Sequence, residues 1–339
     1  MPDFLLSTFY RADDMDFFDA IFFSQDFLGK PLWAWLLFAG IVVLLLVLDL
    51  GVLHRKERVI GARESLLLSA GYICIALLFG GWVWHEMGSE AGVNYLTGFL
   101  VEKTLAIDNV FVISMIFAAF AIPPQYQHRV LFWGILGVII LRGIMIALGA
   151  TLVSQFSWVL FIFGAFLILT GVKMFMSFGK EGTLGSDLVN FVRRLIPVTK
   201  ELHGKKFFVK QPNAKSGKLE RVATPLFLAL VAVELVDLIF AVDSVPAIFA
   251  ITTDPYIVYT SNIFAILGLR ALYFALSTLV HRFAYLKYAL AAVLVFIGGK
   301  IFWTHLVGKM DAFLSLGITA TILSAGVVVS LLKKAPEPK

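Results

Sequence analysis

A chain of 339 residues that is 60% hydrophobic and only 15% charged, with a mean hydropathy of +0.89, departs from soluble composition, where about 25% of residues are charged and about 45–50% apolar. A single cysteine, Cys74, excludes an internal disulfide and a thiolate metal cluster. The net charge of +5 and pI near 9.2 then read as the loop charge of an all-α, polytopic membrane protein, and no nucleic-acid partner is expected.

Residues 1–31 form an acidic amino-terminal segment with six aspartates (Asp3, Asp13, Asp14, Asp16, Asp19, Asp26) against Arg11 and Lys30. Without a basic start it does not read as a signal peptide. Phe17, Phe18, Ile21, Phe22 and Phe23 suggest a short interfacial helix within it. From there about nine spans are expected, at 32–53, 65–84, 96–120, 130–150, 155–177, 224–252, 258–280, 286–304 and 312–332, each of the ~20 residues that cross hydrocarbon. The tryptophans Trp33, Trp35, Trp82, Trp84, Trp133, Trp158 and Trp303 fall near span ends, where an amphipathic ring prefers the headgroup level. Cys74 lies inside the second run and reads as packing. The 178–223 link is polar and basic, a solvated cytoplasmic loop, and residues 333–339 form a cytoplasmic tail.

Basic residues set the orientation. The tail and every second connection back from it (54–64, 121–129, 178–223, 281–287 and 333–339) hold 20 of the 28 Lys and Arg residues, and the opposite set holds 3. Lys103, Arg142, Lys173, Arg270 and Lys300 lie within spans. Cytoplasmic loops carry the excess, which puts the amino terminus in the periplasm and the carboxyl terminus in the cytoplasm.

One stretch occurs twice at an offset of 135. Leu100-Val101-Glu102-Lys103-Thr104-Leu105-Ala106-Ile107-Asp108-Asn109-Val110 overlays Leu235-Val236-Asp237-Leu238-Ile239-Phe240-Ala241-Val242-Asp243-Ser244-Val245. The likeness continues through Arg142 and Arg270, and through Gly171-Val172-Lys173 and Gly298-Gly299-Lys300. Each unit holds three spans, 96–177 and 224–304. An odd number makes the second unit enter from the opposite side, an inverted-topology repeat of the kind that carries its site near the midplane. Spans 32–84 and 312–332 are peripheral on this reading.

An acid at the centre of a span costs roughly 2.5–3.5 kcal/mol on the insertion scale, so intramembrane acids face a partner or a polar cavity. Acids six apart (Glu102 and Asp108, Asp237 and Asp243) do not share a helix face, whereas Glu234 and Asp237 do. Pro246 removes a helix hydrogen bond, so a break in span 224–252 is expected to let the acids converge. Glu102, Asp108, Asn109, Glu234, Asp237, Asp243 and Ser244 form a hard oxygen set suited to Mg²⁺, Ca²⁺ or Mn²⁺. Met115 would add a soft ligand favouring Mn²⁺, although core packing is its commoner use and its counterpart is Ala250. Arg142 and Arg270 are the charge-balancing groups. They allow either a purely structural salt-bridge network or a site kept neutral until a cation arrives.

Glu-Lys-Thr-Leu-Ala-Ile-Asp-Asn-Val (102–110), Val-Glu-Leu-Val-Asp-Leu-Ile-Phe-Ala-Val-Asp-Ser-Val-Pro-Ala-Ile-Phe-Ala (233–250) and Thr-Ser-Asn-Ile-Phe-Ala-Ile-Leu-Gly-Leu-Arg-Ala-Leu-Tyr (260–273) resemble the TerC family, above all its bacterial Alx branch, over about residues 32–332. The resemblance implies a bacterial inner-membrane protein tied to manganese efflux, with historical labels of tellurium resistance and redox modulation. It carries the acidic roles onto Glu102, Asp108, Asp237 and Asp243, and less directly onto Asn109, Glu234 and Ser244. Two function classes follow. One is a divalent metal-ion transporter, most of all an Mn²⁺ exporter, with no tightly bound cofactor and no enzymatic activity. The other is a non-transporting factor that assists insertion or metal loading of other membrane proteins, as plant relatives suggest. A redox role is weaker, since one cysteine offers no dithiol. Beyond the ion and the bilayer, a second copy or other membrane proteins are open as partners.

Reporters fused within 178–223 and at the carboxyl terminus should both read cytoplasmic. Readings on opposite sides would remove the inverted repeat.

Overall fold

Inside lipid a backbone amide can bond only within its own segment, so an apolar run must coil. A computed structural model describes residues 26–51, 62–176, 198–199, 202–212, 219–269, 272–273 and 286–332. Among them, helices lie on all nine expected runs: α1 Leu32–Gly51, α2 Ala62–Met87, α3 Ser89–Ala119, α4 Pro124–Gln155, α5 Val159–Met176, α6 Pro225–Phe249, α7 Pro255–Leu267, α8 Leu286–Leu306 and α9 Ala312–Leu332. Six of these (α2, α4, α5, α6, α8 and α9) are long and apolar enough to cross a membrane. The chain is therefore an all-helical, multi-pass membrane protein. α7 has 13 residues, and α3 carries Glu102, Lys103 and Asp108 in its middle, which lowers its hydropathy. Residues 270–271 and 274–280 of expected span 258–280 lie outside the described residues, as do residues 1–25 with their expected interfacial helix.

By its contacts the chain divides into two units, Met1–Arg58 with Asp254–Tyr256, and Val59–Thr253 with Ile257–Lys339. In the smaller, strands β1 (Asp26–Phe27) and β2 (Lys30–Pro31) form a hairpin ahead of α1. Trp35 donates to the carbonyl of Phe27 at 2.9 Å and packs edge-on against Phe27 and Tyr256. Tyr256 Oη donates to the carbonyl of Ala34 at 2.9 Å, and Lys30 pairs with Asp254 at 3.0 Å.

The larger unit is built on close helix approach. A Cβ added to Gly298 of α8 would lie 2.6 Å from the carbonyl oxygen of Gly164 of α5, and one on Gly171 would lie 2.7 Å from that of Ala291. As the number rises along α5 it falls along α8, so the two helices run antiparallel with backbone against backbone, the usual way of joining helices in lipid. Gly80 of α2 likewise admits the ring of Tyr95 of α3, whose hydroxyl donates to the carbonyl of Ala76 at 3.0 Å. Gly88, with φ +91°, turns α2 into α3, a conformation that suits a residue without Cβ.

Three expectations are corrected. α6 continues through Pro246 to Phe249 as one helix; proline costs a single bond, and flanking helices hold the segment in place. The 178–223 link is not only loop, because β3 (Phe208–Pro212) and β4 (Leu219–Ala223) pair antiparallel directly before α6. Cys74 is exposed on the outer surface rather than packed, a position that suits a small apolar side chain facing lipid.

Gly298→Leu should destabilise the protein by at least ~3 kcal/mol, the upper end for overpacking, because the obstacle is backbone. Gly317→Leu, at a position with open space, should stay within ~0.5 kcal/mol. Unfolding of both variants in detergent checks the contrast.

Candidate functional site

A helix repeats its face every seven residues, two turns on. Asp237 and Ser244 of α6 are seven apart, as are their repeat counterparts Glu102 and Asn109 of α3. The face-sharing partner of each first acid is thus the polar residue after the second acid. α3 and α6 turn these faces toward α4, which supplies Arg142, and α7 supplies Asn262.

Arg142 is the hub, fully buried at 0% exposure, with Glu102 at 1% and Asp237 at 8%. Its Nε and Nη2 donate to Asp237 Oδ2 and Oδ1 at 3.3 and 3.2 Å, the fork that only a guanidinium presents to a carboxylate. Its Nη1 lies 2.6 Å from Glu102 Oε1, 2.8 Å from Asn262 Oδ1 and 2.9 Å from Ser244 Oγ. Asn262 Nδ2 in turn donates to Glu102 Oε2 at 3.3 Å. One cation therefore ties four helices together. With both carboxylates ionised, the cluster keeps one negative charge in excess.

Beside it lies a cavity of about 30 Å³ lined by Asn109, Asp237, Leu131, Ile135, Val236 and Ile266 among others, room for a water or a small ion. Asp237 thus belongs to both the arginine network and the cavity. Asn109 Oδ1 is buried and has no hydrogen-bond partner among the described residues. Glu234, one turn before Asp237, presses its carboxylate into the gap left by Gly137 of α4, where a Cβ would come within 2.5 Å of both oxygens. Its Oε2 also lacks a partner among the described residues. Buried acceptors without donors are uncommon and call for an explanation.

Lys103, next to Glu102, points the other way along α3. Its Nζ donates to the carbonyl of Ala265 at 3.1 Å, in the space that Gly268 leaves open. The ammonium meets a carbonyl in the last turn of α7, at the negative end of the helix dipole. This contact fixes the end of the short helix that carries Asn262.

Of the sequence-selected residues, Glu102, Asp237, Ser244 and Arg142 come together, Asn109 lies across the cavity, and Glu234 sits on Gly137. The backbones of Asp108 and Asp243 are in α3 and α6, but their side chains lie outside the described residues, as does Arg270. Met115 is not among the cavity-lining residues. Among the described residues, no three His, Cys, Asp or Glu side chains are grouped to hold a metal ion. Sequence reasoning passed over Asn262, whose signal was the polar run Thr260-Ser261-Asn262 in an apolar span. It also passed over Gly137, which has no chemical signal of its own.

The family model described as integral membrane protein TerC family matches residues 87–337. An uncharacterized membrane protein of Rickettsia bellii is 49% identical over 89% of this chain and 98% of its own length. One from Myxococcus xanthus is 48% identical over 91% of this chain and 95% of its own. A Photorhabdus laumondii protein named "Putative membrane-bound redox modulator Alx" is 44% identical over 89% of this chain and 95% of its own. No solved structure matches the chain.

Removing a buried guanidinium leaves carboxylates uncompensated, so Arg142→Met should cost about 3–5 kcal/mol. Arg142→Lys should recover only part, since an ammonium cannot fork. Adding Glu102→Gln to Arg142→Met should cost less than the two single effects together, by about 0.5–3 kcal/mol. Unfolding of the four proteins in detergent measures this, and strict additivity would refute a shared network.

Proposed function

The chain belongs to the TerC family of integral membrane proteins, and from that premise we propose that it moves a divalent metal cation, Mn²⁺ foremost, across the membrane along the polar seam between α3, α4, α6 and α7. The observation that carries this reading is Asp237, held by Arg142 on one side while lining a cavity with the unpartnered carboxamide oxygen of Asn109 on the other. A cation entering the cavity meets oxygen donors only, the chemistry that hard divalent ions accept. The ion competes with Arg142 for the same carboxylates. Arg142 therefore holds the empty site at one net negative charge instead of two and yields Asp237 and Glu102 as the ion arrives. The two charge-bearing partners exchange, and a bare pair of carboxylates is never left in a low dielectric.

An inverted repeat is supported by the α5–α8 contact. Gly171 and Gly298 are equivalent in the repeat, as are Gly164 and Ala291 by the same register. Exchanging equivalents turns the Gly164–Gly298 contact into the Ala291–Gly171 contact, as a two-fold axis in the membrane plane requires. The 20-to-3 division of basic residues supports a periplasmic amino terminus and a cytoplasmic carboxyl terminus in an inner membrane. The redox role in the name of the Photorhabdus relative finds little here, because Cys74 is the sole cysteine. A second reading, a membrane factor that assists insertion or metal loading without moving ions, draws on the bonding of all three Arg142 nitrogens, which a permanent structural clamp would also have.

Proteoliposomes holding a manganese-quenched dye separate the two. Wild-type protein should pass Mn²⁺, and Asp237→Asn or Glu102→Gln should lower the initial rate by on the order of 10-fold or more, the effect of losing one ligand charge worth about 1.4 kcal/mol or above. Wild-type protein that folds and passes no Mn²⁺, Mg²⁺ or Ca²⁺ would leave the assembly-factor reading in possession.

A further inference from the structure

The β3–β4 hairpin plays no part in the site above, and its two faces differ. Cross-strand partners share a face and alternate along each strand. Phe208 opposite Ala223 and Lys210 opposite Arg221 lie on one face with Leu219; Val209 opposite Val222 and Gln211 opposite Glu220 lie on the other. Lys210 and Arg221 are both exposed, and like charges directly opposite each other weaken a sheet. Among the described residues neither has a carboxylate partner; the nearest acid in the ladder, Glu220, is on the far face. On either side of the basic pair, Phe208 and Leu219 are 50% and 69% exposed.

The hairpin is held at the end of a membrane helix. β4 ends at Ala223, and α6 starts two residues later at Pro225. Thr224 joins them back to the hairpin: its N–H donates to the carbonyl of Phe207 at 2.9 Å and its Oγ1 to that of Lys206 at 2.7 Å. The Phe208 ring lies 4.5 Å from that of Phe227 in the first turn of α6, and the Arg129 guanidinium, near the start of α4, sits 4.8 Å over Phe207. The face with Phe208, Lys210, Arg221 and Leu219 is therefore fixed at the level where a helix leaves the hydrocarbon.

We infer that this face is a docking surface for anionic phospholipid headgroups. A lipid phosphate between Lys210 and Arg221 relieves their repulsion, while Phe208 and Leu219 enter the boundary between headgroups and acyl chains. Basic residues beside apolar ones are the side-chain pattern of an interfacial anchor. The hairpin thereby ties the first turn of α6, the helix that carries Asp237 and Ser244, to the membrane surface. Bilayer composition then bears on the position of α6, whether or not the chain transports an ion.

A nitroxide at Leu219→Cys in a Cys74→Ser background tests this by its collisions with oxygen and with a water-soluble nickel chelate. The full chain is reconstituted in phosphatidylcholine alone and in phosphatidylcholine with phosphatidylglycerol. In the anionic bilayer the label should be reached by oxygen and shielded from nickel. Without phosphatidylglycerol, or with Lys210→Gln and Arg221→Gln, it should shift to water-like accessibility. A second label at Gln211→Cys, on the opposite face, should read water throughout. A Leu219 label in water in the anionic bilayer overturns the inference, and so does one equally deep in both bilayers. Should the double variant aggregate, the comparison of the two bilayers with native charges decides alone.

Discussion

A guanidinium with no exposure, placed among helices that face lipid, can exist only if each of its nitrogens finds an acceptor. Arg142 meets that demand with Asp237, Glu102, Asn262 and Ser244, one group or more from each of α3, α6 and α7. An unpaired charge at the centre of a membrane helix costs several kcal/mol, comparable with the whole margin of stability of a small domain. One side chain therefore constrains the arrangement of all four helices. The converse also holds: Glu102 and Asp237 are tolerated at that depth because Arg142 is there.

On the proposed function, the same contact is the one that exchanges. A carboxylate held by a forked arginine is stable, yet the attraction within a buried pair can fall short of what its two ions together lost in leaving water, and on that reading a divalent cation ligated by several oxygens competes with the arginine. The cavity beside Asp237 supplies two of the conditions for that competition, space and the unused oxygen of Asn109. Glu234 adds a third acceptor nearby, kept close to α4 by the missing side chain at Gly137. Around this polar seam the helices are held by contacts of another kind. Gly164, Gly171 and Gly298 let α5 and α8 meet backbone to backbone, which gives a rigid antiparallel pair outside the charged centre.

Asn262 illustrates how neighbouring features depend on one another. It bonds both Arg142 and Glu102, and its helix, α7, has 13 described residues. Lys103 donates to the end of that helix at Ala265, so two adjacent residues of α3, Glu102 and Lys103, hold α7 at separate points. The Glu-Lys pair in the first repeat thus has a structural logic that the second repeat, with Asp237-Leu238, does not share. The two halves are alike in sequence yet differently employed in this conformation, with Ser244 bonded to arginine and its counterpart Asn109 free to accept.

Sequence by itself determined the class and most of the helix positions. Runs of apolar residues in lipid have no alternative to the helix, and their length is set by the bilayer, so 339 residues of this composition resolve into spans without reference to packing. It also determined that the acids in the doubled motif need partners, because the cost of an unpaired acid at that depth belongs to the residue and the solvent alone. Only the tertiary structure decided which partners they have. Arg142 lies 40 positions from Glu102 and 95 from Asp237, and no periodicity within one helix connects them. The sequence pointed to acids six apart and a break at Pro246. Packing kept α6 whole through Pro246, and a continuous helix presents Asp237 and Ser244, seven apart, on one face toward Arg142; the side chains of Asp108 and Asp243 lie outside the described residues. Asn262, the gap at Gly137 and the pairing of Lys210 with Arg221 were invisible for the same reason: each acquires its meaning from a residue on another segment, and the chain's order does not record which segments will touch.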